Sequence, residues 1–352
     1  MANVRVGFIG CGGIANGKHF PGMAQQEGVD MCAFCDLILE RAEKAAKEYG
    51  TPDAKVYTDY HELLADPTID AVHVLTPNVA HCEITVAALE AGKHVLCEKP
   101  MAATPADAKK MLEARDRTGK MLTIGYQYRH FPENQVAKKV VDSGALGDVY
   151  YAEATYLRRR GVPTWGVFTD KAKQGGGPLI DIGAHMLDLA ACLLDYPEVS
   201  YVCASSSDLI GKQGGTGFMG SWDGARFGVE DGLFGFIRFS NGGSLHIRTS
   251  FAVNIADKEE RNVRLYGSKR GISVFPLEIY GDEDGQSVNA GYPFDETKDW
   301  HYDCIRNFVE SCMGRADILV TPDQAVYVQK LITGLYRSAG TGRPVIYGNG
   351  YL

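Results

Sequence analysis

The sequence predicts an α/β protein, with a doubly wound parallel sheet in its first 125 residues and an antiparallel sheet with helices in the rest. Three observations carry this. Short apolar runs alternate with helical periodicities as far as residue 125, and strands that alternate with helices build a parallel sheet. A glycine-rich turn, Gly10-Cys11-Gly12-Gly13-Ile14-Ala15, follows the first run directly. Beyond residue 149 the runs lengthen, alternate, and are joined by glycine-rich turns, which is the signal of antiparallel hairpins.

Taken in order, residues 4–9 and 29–35 are mostly apolar runs, as expected of strands buried on both faces. Residues 37–49 read as a helix, with Leu39, Ala42, Ala45 and Ala46 at helical spacing. A third strand at 71–75 ends in Thr76-Pro77-Asn78, and a helix at 81–91 stops at Gly92. Strands at 95–97 and 121–124 flank a helix at 105–118. The antiparallel part follows: runs at 149–158 and 199–206, a hairpin of 233–240 and 244–251 around Asn241-Gly242-Gly243, and a second of 262–266 and 271–275. Helices are expected at 179–194, 300–312 and 322–338. The glycine clusters at 175–177 and 211–220 read as flexible loops. The resulting division is a nucleotide-binding domain at 1–125 and a substrate and oligomerisation domain at 126–352.

Composition narrows the function. The 352 residues are 45% hydrophobic and 23% charged, so a large core needs no metal or disulfide staple. The net charge of −8 argues against nucleic acid as a partner, because that needs a basic face. The one dense basic run, Arg158-Arg159-Arg160, reads as a solvated strand end. No stretch of about 20 apolar residues is present to span a membrane, and the N-terminus runs straight into a strand without a signal region. A cytoplasmic protein with nine reduced cysteines is expected. Cys32 and Cys35 form a CxxC inside a strand, where side chains alternate faces, so they read as buried small hydrophobes rather than a redox pair.

The motifs stand in a telling order. Gly10-x-Gly12-x-x-Ala15 lies between a strand and a helix, where glycines let the backbone approach a pyrophosphate and the helix start offers free N–H groups. Asp36 closes the second strand, 24 residues after Gly12, the position of the acid that holds a ribose hydroxyl. A carboxylate repels a 2′-phosphate, and Leu37 and Ile38 offer no cation, so NAD is expected rather than NADP. Glu98-Lys99-Pro100 follows an apolar segment; a lysine there suits acid/base work, and Glu98 can hold it charged or touch the cofactor ribose. Asp181 and His185 are four apart on the expected helix, so they share a face, and a carboxylate there raises the imidazole's basicity. Asp181, His185 and Asp188 form a rival metal set; no further ligands cluster with them, and no metal is expected.

These pieces together resemble the Gfo/Idh/MocA family of oxidoreductases, the glucose–fructose oxidoreductase and inositol dehydrogenase group, over essentially the whole chain. The resemblance rests on residues 10–15, Thr76-Pro77-Asn78 with His81, residues 91–95 running into Glu98-Lys99-Pro100, residues 125–129, and Asp181-x-Gly183-x-His185. It implies a Rossmann domain and then a large, open, mainly antiparallel sheet that pairs copies into dimers or tetramers. It implies that Lys99 and His185 handle the substrate proton, with Asp181 orienting His185 or a sugar hydroxyl. It implies an NAD site made of Gly10, Gly12, Gly13, Ile14, Asp36, Thr76, Asn78, His81 and Glu98. Tyr126, Gln127 and Arg129 can reach the substrate, as can Tyr156. Trp165 can stack on a sugar face, or equally be a core aromatic.

The expected activity is NAD-dependent oxidation of a secondary hydroxyl on a sugar, cyclic polyol or glycoside. The alternative is a glycosidase whose bound NAD transiently oxidises C3, which needs a further base, such as His185 or Tyr156, or a metal near the site. A sugar- or NAD-sensing regulator is a third reading, disfavoured by the presence of both Lys99 and His185. The loops at 211–220 and 282–291 carry no role that the residues alone define.

Overall fold

The computed structural model describes residues 3–294 and 299–348. They form two compact units. The first holds the chain up to His130 together with Asp299–Val326, and the second holds the stretch from Phe131 and that from Tyr327.

In the first unit, β1 (Val4–Ile9), β2 (Val29–Cys35), β3 (Lys55–Tyr57), β4 (Ala71–Val74), β5 (His94–Cys97) and β6 (Leu122–Ile124) form one parallel sheet in the order β3-β2-β1-β4-β5-β6. Strand order reverses between β1 and β4. The strands are apolar because both faces are covered: Val6, Phe8, Phe34, Val72 and Leu96 have no exposed surface. The helix Pro105–Thr118 shows how local chemistry sets the ends. Thr104 accepts from Asp107 N–H, Pro105 occupies the first turn, and Gly119 ends the helix at φ 65°. The short edge strand β3 was not expected. It has three residues and no fully buried side chain, so it leaves no apolar run to read.

The helix His301–Cys312 belongs to this unit, although the sequence-based boundary set everything after residue 125 apart. The reason is its apolar stripe: Ile305, Phe308 and Val309 share one buried cluster with Phe8, Phe20 and Phe34. Chain order cannot show such a return.

In the second unit, β7 (Val149–Arg158), β8 (Val199–Ser207), β11 (Gly232–Phe239), β12 (Ser244–Ser250), β13 (Glu259–Gly267), β14 (Arg270–Ser273), β15 (Glu278–Glu283), β16 (Gln286–Gly291) and β17 (Val345–Ile346) form a nine-stranded sheet. The order is β16-β15-β14-β13-β7-β12-β11-β8-β17, antiparallel except for the β12–β7 pair. Both expected hairpins are present, as β11–β12 and β13–β14. The loops expected to be flexible are built structures. Residues 211–220 enter a two-stranded ribbon of β9 (Gly215–Gly217) and β10 (Gly220–Trp222). Asp231 Oδ2 anchors that segment by accepting from Ile210 N and Gly211 N at 2.6 and 2.8 Å. Most of 282–291 lies in β15 and β16, which turn through Gly285 at φ 77°.

Among the described residues no helix is long and apolar enough to cross a membrane. The nine cysteines are unbridged. Burial pushes the Cys32 thiol up to about 11 and that of Cys35 to about 12, which leaves both protonated and unreactive.

Candidate functional site

The candidate residues fall into two groups, one in each unit. The first gathers at the C-terminal ends of β1, β2, β4 and β5, where the strand order reverses. Open parallel sheets bind ligands at such a point. Gly10 leaves β1 at φ 100°, and a Cβ there would stand 2.7 Å from Leu75 O, so the fold itself demands glycine. Gly12 and Gly13 differ: a Cβ on either meets nothing within 4 Å. The chain alone gives no reason for glycine at these two positions, whereas a pyrophosphate lying against the turn does. Asn16 Nδ2 ties the turn by donating to Cys11 O and Gly12 O, each at 2.8 Å. Ala15 is fully buried at the start of the following helix, which opens with a wide π-type turn, Ala15–His19.

Asp36 is fixed by two backbone donors, Cys11 N to Oδ2 at 2.8 Å and Ile38 N to Oδ1 at 2.9 Å. Each carboxylate oxygen has further acceptor capacity, which two ribose hydroxyls can use. At the end of β4, Thr76 Oγ1 is buried without a hydrogen-bond partner among the described residues, and Asn78 is 8% exposed. Ile14 and Val79 present partly open apolar side chains beside this edge. The open glycines, the anchored acid and the orphaned hydroxyl fit a dinucleotide.

His81 sits differently from the expectation of a cofactor contact. Its Nδ1 lies 2.8 Å from Pro100 O and its Nε2 2.9 Å from Thr76 O, so the ring clamps the ends of β4 and β5 to each other. A neutral ring donates to only one of these carbonyls at a time. Burial lowers its pKa against the pull of both carbonyls. Lys99 directly follows Glu98, whose Oε2 accepts the Lys99 N–H at 3.1 Å. Burial pushes the Glu98 carboxyl up, but the His19 hydrogen bond, together with the charge of Lys99, outweighs it and leaves it lowered. Tyr126, Gln127 and Arg129 follow β6 and are all buried; Arg129 Nη1 donates to Gln324 Oε1 at 3.3 Å.

The second group lies in the other unit. Asp181 stands in a π-type turn, Leu179–Gly183, and His185 in the α-helix Ala184–Leu193 that continues it. One continuous helix of α pitch was expected; the wide turn gives Asp181 a different angular offset from His185 than α spacing provides. His185 is 5% exposed, and Asp188 has no exposed surface. Among the described residues, no three His, Cys, Asp or Glu side chains are grouped to hold a metal.

Arg158 overturns the reading of a solvated strand end. It is 9% exposed, with its guanidinium 5.0 Å from the Tyr156 ring centre. Its Nε donates to Glu259 Oε2 at 3.3 Å and its Nη2 to Tyr156 Oη at 3.3 Å. Burial works to lower its pKa, but Tyr156, Asp181 and Glu259 more than offset this, so the cation is held beside Asp181. Trp165 is 54% exposed, edge-on to Phe168 at 6.2 Å, and is not a core aromatic.

Sequence reasoning missed two residues that build this second group. Glu230 accepts from Gly177 N at 2.9 Å, Leu179 N at 3.3 Å and Tyr336 Oη at 2.7 Å. Tyr336 Oη also accepts from Ile180 N at 3.3 Å. Together they cap the start of the segment that carries Asp181. Residues 175–177 are therefore a tightly packed turn, not a flexible loop: a Cβ on Gly176 would lie 2.1 Å from Tyr336 Oη and one on Gly177 2.3 Å from Glu230 O. The three successive glycines were the available signal.

Comparison with known proteins agrees with this geometry. Residues 4–126 match the family model described as an oxidoreductase family, NAD-binding Rossmann fold, and residues 138–346 match its C-terminal alpha/beta domain. The chain is 40% identical to D-glucoside 3-dehydrogenase of Escherichia coli (strain K12) over 97% of both chains. It is 32% identical to inositol 2-dehydrogenase of Salmonella typhimurium over 59% of this chain and 60% of that one. Among solved structures, aldose-aldose oxidoreductase from Caulobacter crescentus, complexed with glycerol, is similar at TM-score 0.80 and 28% identity, covering 98% of this chain and 100% of that one. The chain belongs to the Gfo/Idh/MocA oxidoreductase family.

Proposed function

We propose that this protein is an NAD-dependent dehydrogenase that oxidises a secondary hydroxyl of a sugar, cyclic polyol or glycoside, with C3 of a glucoside as the first candidate. The observation that carries the reading is 40% identity to a D-glucoside 3-dehydrogenase along nearly the whole of both chains. Asp36 supports NAD over NADP, because its carboxylate is already anchored by two N–H donors and would repel a 2′-phosphate. When bound, the nicotinamide supplies the hydride acceptor.

In this proposal Lys99 and His185 handle the hydroxyl proton. One of them takes it as the carbon gives up its hydride and the carbonyl forms, and the lysine charge stabilises the developing alkoxide. Asp181 orients His185 or a sugar hydroxyl. Exposed Trp165 is the better supported substrate contact. Tyr156, Tyr126, Gln127 and Arg129 are less well supported, since all four are buried. Replacing Lys99 by Met is expected to nearly abolish turnover while NADH still binds, as followed by its fluorescence. Retained turnover would overturn the assignment of Lys99.

A further inference from the structure

Behind Glu98 lies a buried chain of side chains that the proposed reaction does not yet use. His73 stands on β4 with no exposed surface, its ring 5.0 Å from that of Phe8 and 5.2 Å from that of Phe308. Its Nδ1 is 2.9 Å from Nδ1 of His19. His19 Nε2 is in turn 2.9 Å from Glu98 Oε1. Glu98 is packed from the other side by Gly125, where a Cβ would come within 2.9 Å of Oε1. Three polar side chains thus run in series from the sheet core to the residue before Lys99.

The protons in this series have one consistent arrangement. Two facing Nδ1 atoms need one proton between them. A carboxylate only accepts, so His19 donates from Nε2. His73 then donates its Nδ1–H to Nδ1 of His19. This leaves the bare nitrogen of His73 at Nε2, the one atom of the series with no partner among the described residues. The opposite tautomer of His73 would bury an unpartnered N–H, which costs more than a bare nitrogen among aromatic rings. Burial and the neighbouring His19 hold the His73 pKa well below the usual imidazole value, so a second proton does not enter there. The other groups facing Glu98 are Lys99, the His301 ring, which burial lowers to about 4, and the Cys304 thiol, which burial raises.

We propose that His73 and His19 are positioning residues for the reaction: a one-way hydrogen-bond chain, His73 to His19 to Glu98, fixes Glu98 as a carboxylate against Lys99. This rests on Lys99 as a proton-handling group. An anion held there attracts the lysine ammonium and sets its orientation. When the chain is cut, buried Glu98 protonates more readily, and Lys99 loses its anionic neighbour.

The test compares His19→Ala and His73→Leu, which cut the chain, with His19→Gln and His73→Asn, whose amides can donate from about the same places. The cutting variants are expected to lose about ten- to a hundredfold in kcat, with the acid limb of the kcat/KM profile moved to higher pH as Glu98 protonates more readily. The amide variants recover most of both, and NADH binding persists in all four. Normal profiles and kcat in folded cutting variants would overturn the proposal, as would amide variants no better than Ala and Leu. Imidazole nitrogen NMR of the wild-type protein with NADH tests it without any variant. It should find Nε2–H on His19 and Nδ1–H on His73, and the reverse on either ring would overturn the chain. Lys99→Met keeps the two levels apart, since activity retained there refutes the role of Lys99, whatever the histidines do.

Discussion

Gly177→Ala is a sharp perturbation of the second group. The new Cβ would lie 2.3 Å from Glu230 O and 3.0 Å from Val229 Cγ2. A carbon–oxygen contact needs about 3.4 Å, so the turn must withdraw from the backbone at Glu230 by about 1 Å. Neither side yields easily, because the clash is with a carbonyl rather than with the tip of a flexible side chain. The withdrawal also strains the Gly177 N and Leu179 N bonds to Glu230. Overpacking of this kind costs about 1–3 kcal/mol, which lowers the melting temperature by roughly 2–12 °C for a unit of this size. Asp181 is four residues beyond the clash. A displacement of about 1 Å at reacting groups costs about a hundredfold in rate, so kcat should fall by one to two orders of magnitude. NADH binding, which uses the other unit, should stay close to wild type. Steady-state kinetics, calorimetry and NADH fluorescence separate these effects. A folded variant with lowered melting temperature and wild-type kcat would refute the claim that this turn aims Asp181 and His185.

Three further outcomes are expected. Gly10→Ala, placed at φ 100° and 2.7 Å from Leu75 O, should weaken NADH binding at least tenfold for about 1.4 kcal/mol of strain; unchanged fluorescence titrations would contradict this. Asp36→Ala should lower the preference for NAD over NADP by about tenfold or more in kcat/KM, about the worth of one charge-assisted hydrogen bond; an unchanged ratio would count against the ribose role. Asp66 accepts from Lys55 at 2.6 Å and from Thr68, which hold its carboxyl well below the usual 3.8. Its stabilisation is therefore full above the usual carboxylate value and lost as pH falls through the depressed one. The melting difference between wild type and Asp66→Asn should shrink on acidification below 3.8. A difference independent of pH would argue against it.

The parallel sheet was legible because its strands are short, doubly buried apolar runs and its helices have spacing and ends that local chemistry fixes, as at Thr104, Pro105 and Gly119. Edge strand β3 was not, since Lys55, Val56 and Tyr57 carry no burial pattern. The antiparallel hairpins could be read from Asn241-Gly242-Gly243, but the parallel pairing of β12 with β7 joins segments far apart in the chain and leaves no local mark. The same holds for the helix around Phe308, whose partners Phe8 and Phe34 lie near the other end of the sequence.

At the candidate site, Gly10 was legible because its backbone at φ 100° demands glycine, and Asp36 and Glu98-Lys99 could be placed because each directly follows an apolar strand. Glu230 and Tyr336 could not, because their importance arises from hydrogen bonds to residues about 50 and 150 positions away. Arg158 was misread because a run of three arginines looks solvated. Only tertiary packing shows that the first of them is buried against Tyr156 and paired with Glu259.

The most direct test of the account follows NADH absorbance after the purified protein is mixed with NAD and a panel of glucosides, free sugars and cyclic polyols, while product structure is read by NMR. The account predicts NADH accumulating far beyond the enzyme concentration, with a keto sugar formed and, for glucosides, the carbonyl at C3. Absorbance limited to about one equivalent of enzyme, with the aglycone released, would contradict a freely turning dehydrogenase and mark a glycosidase that keeps its cofactor bound.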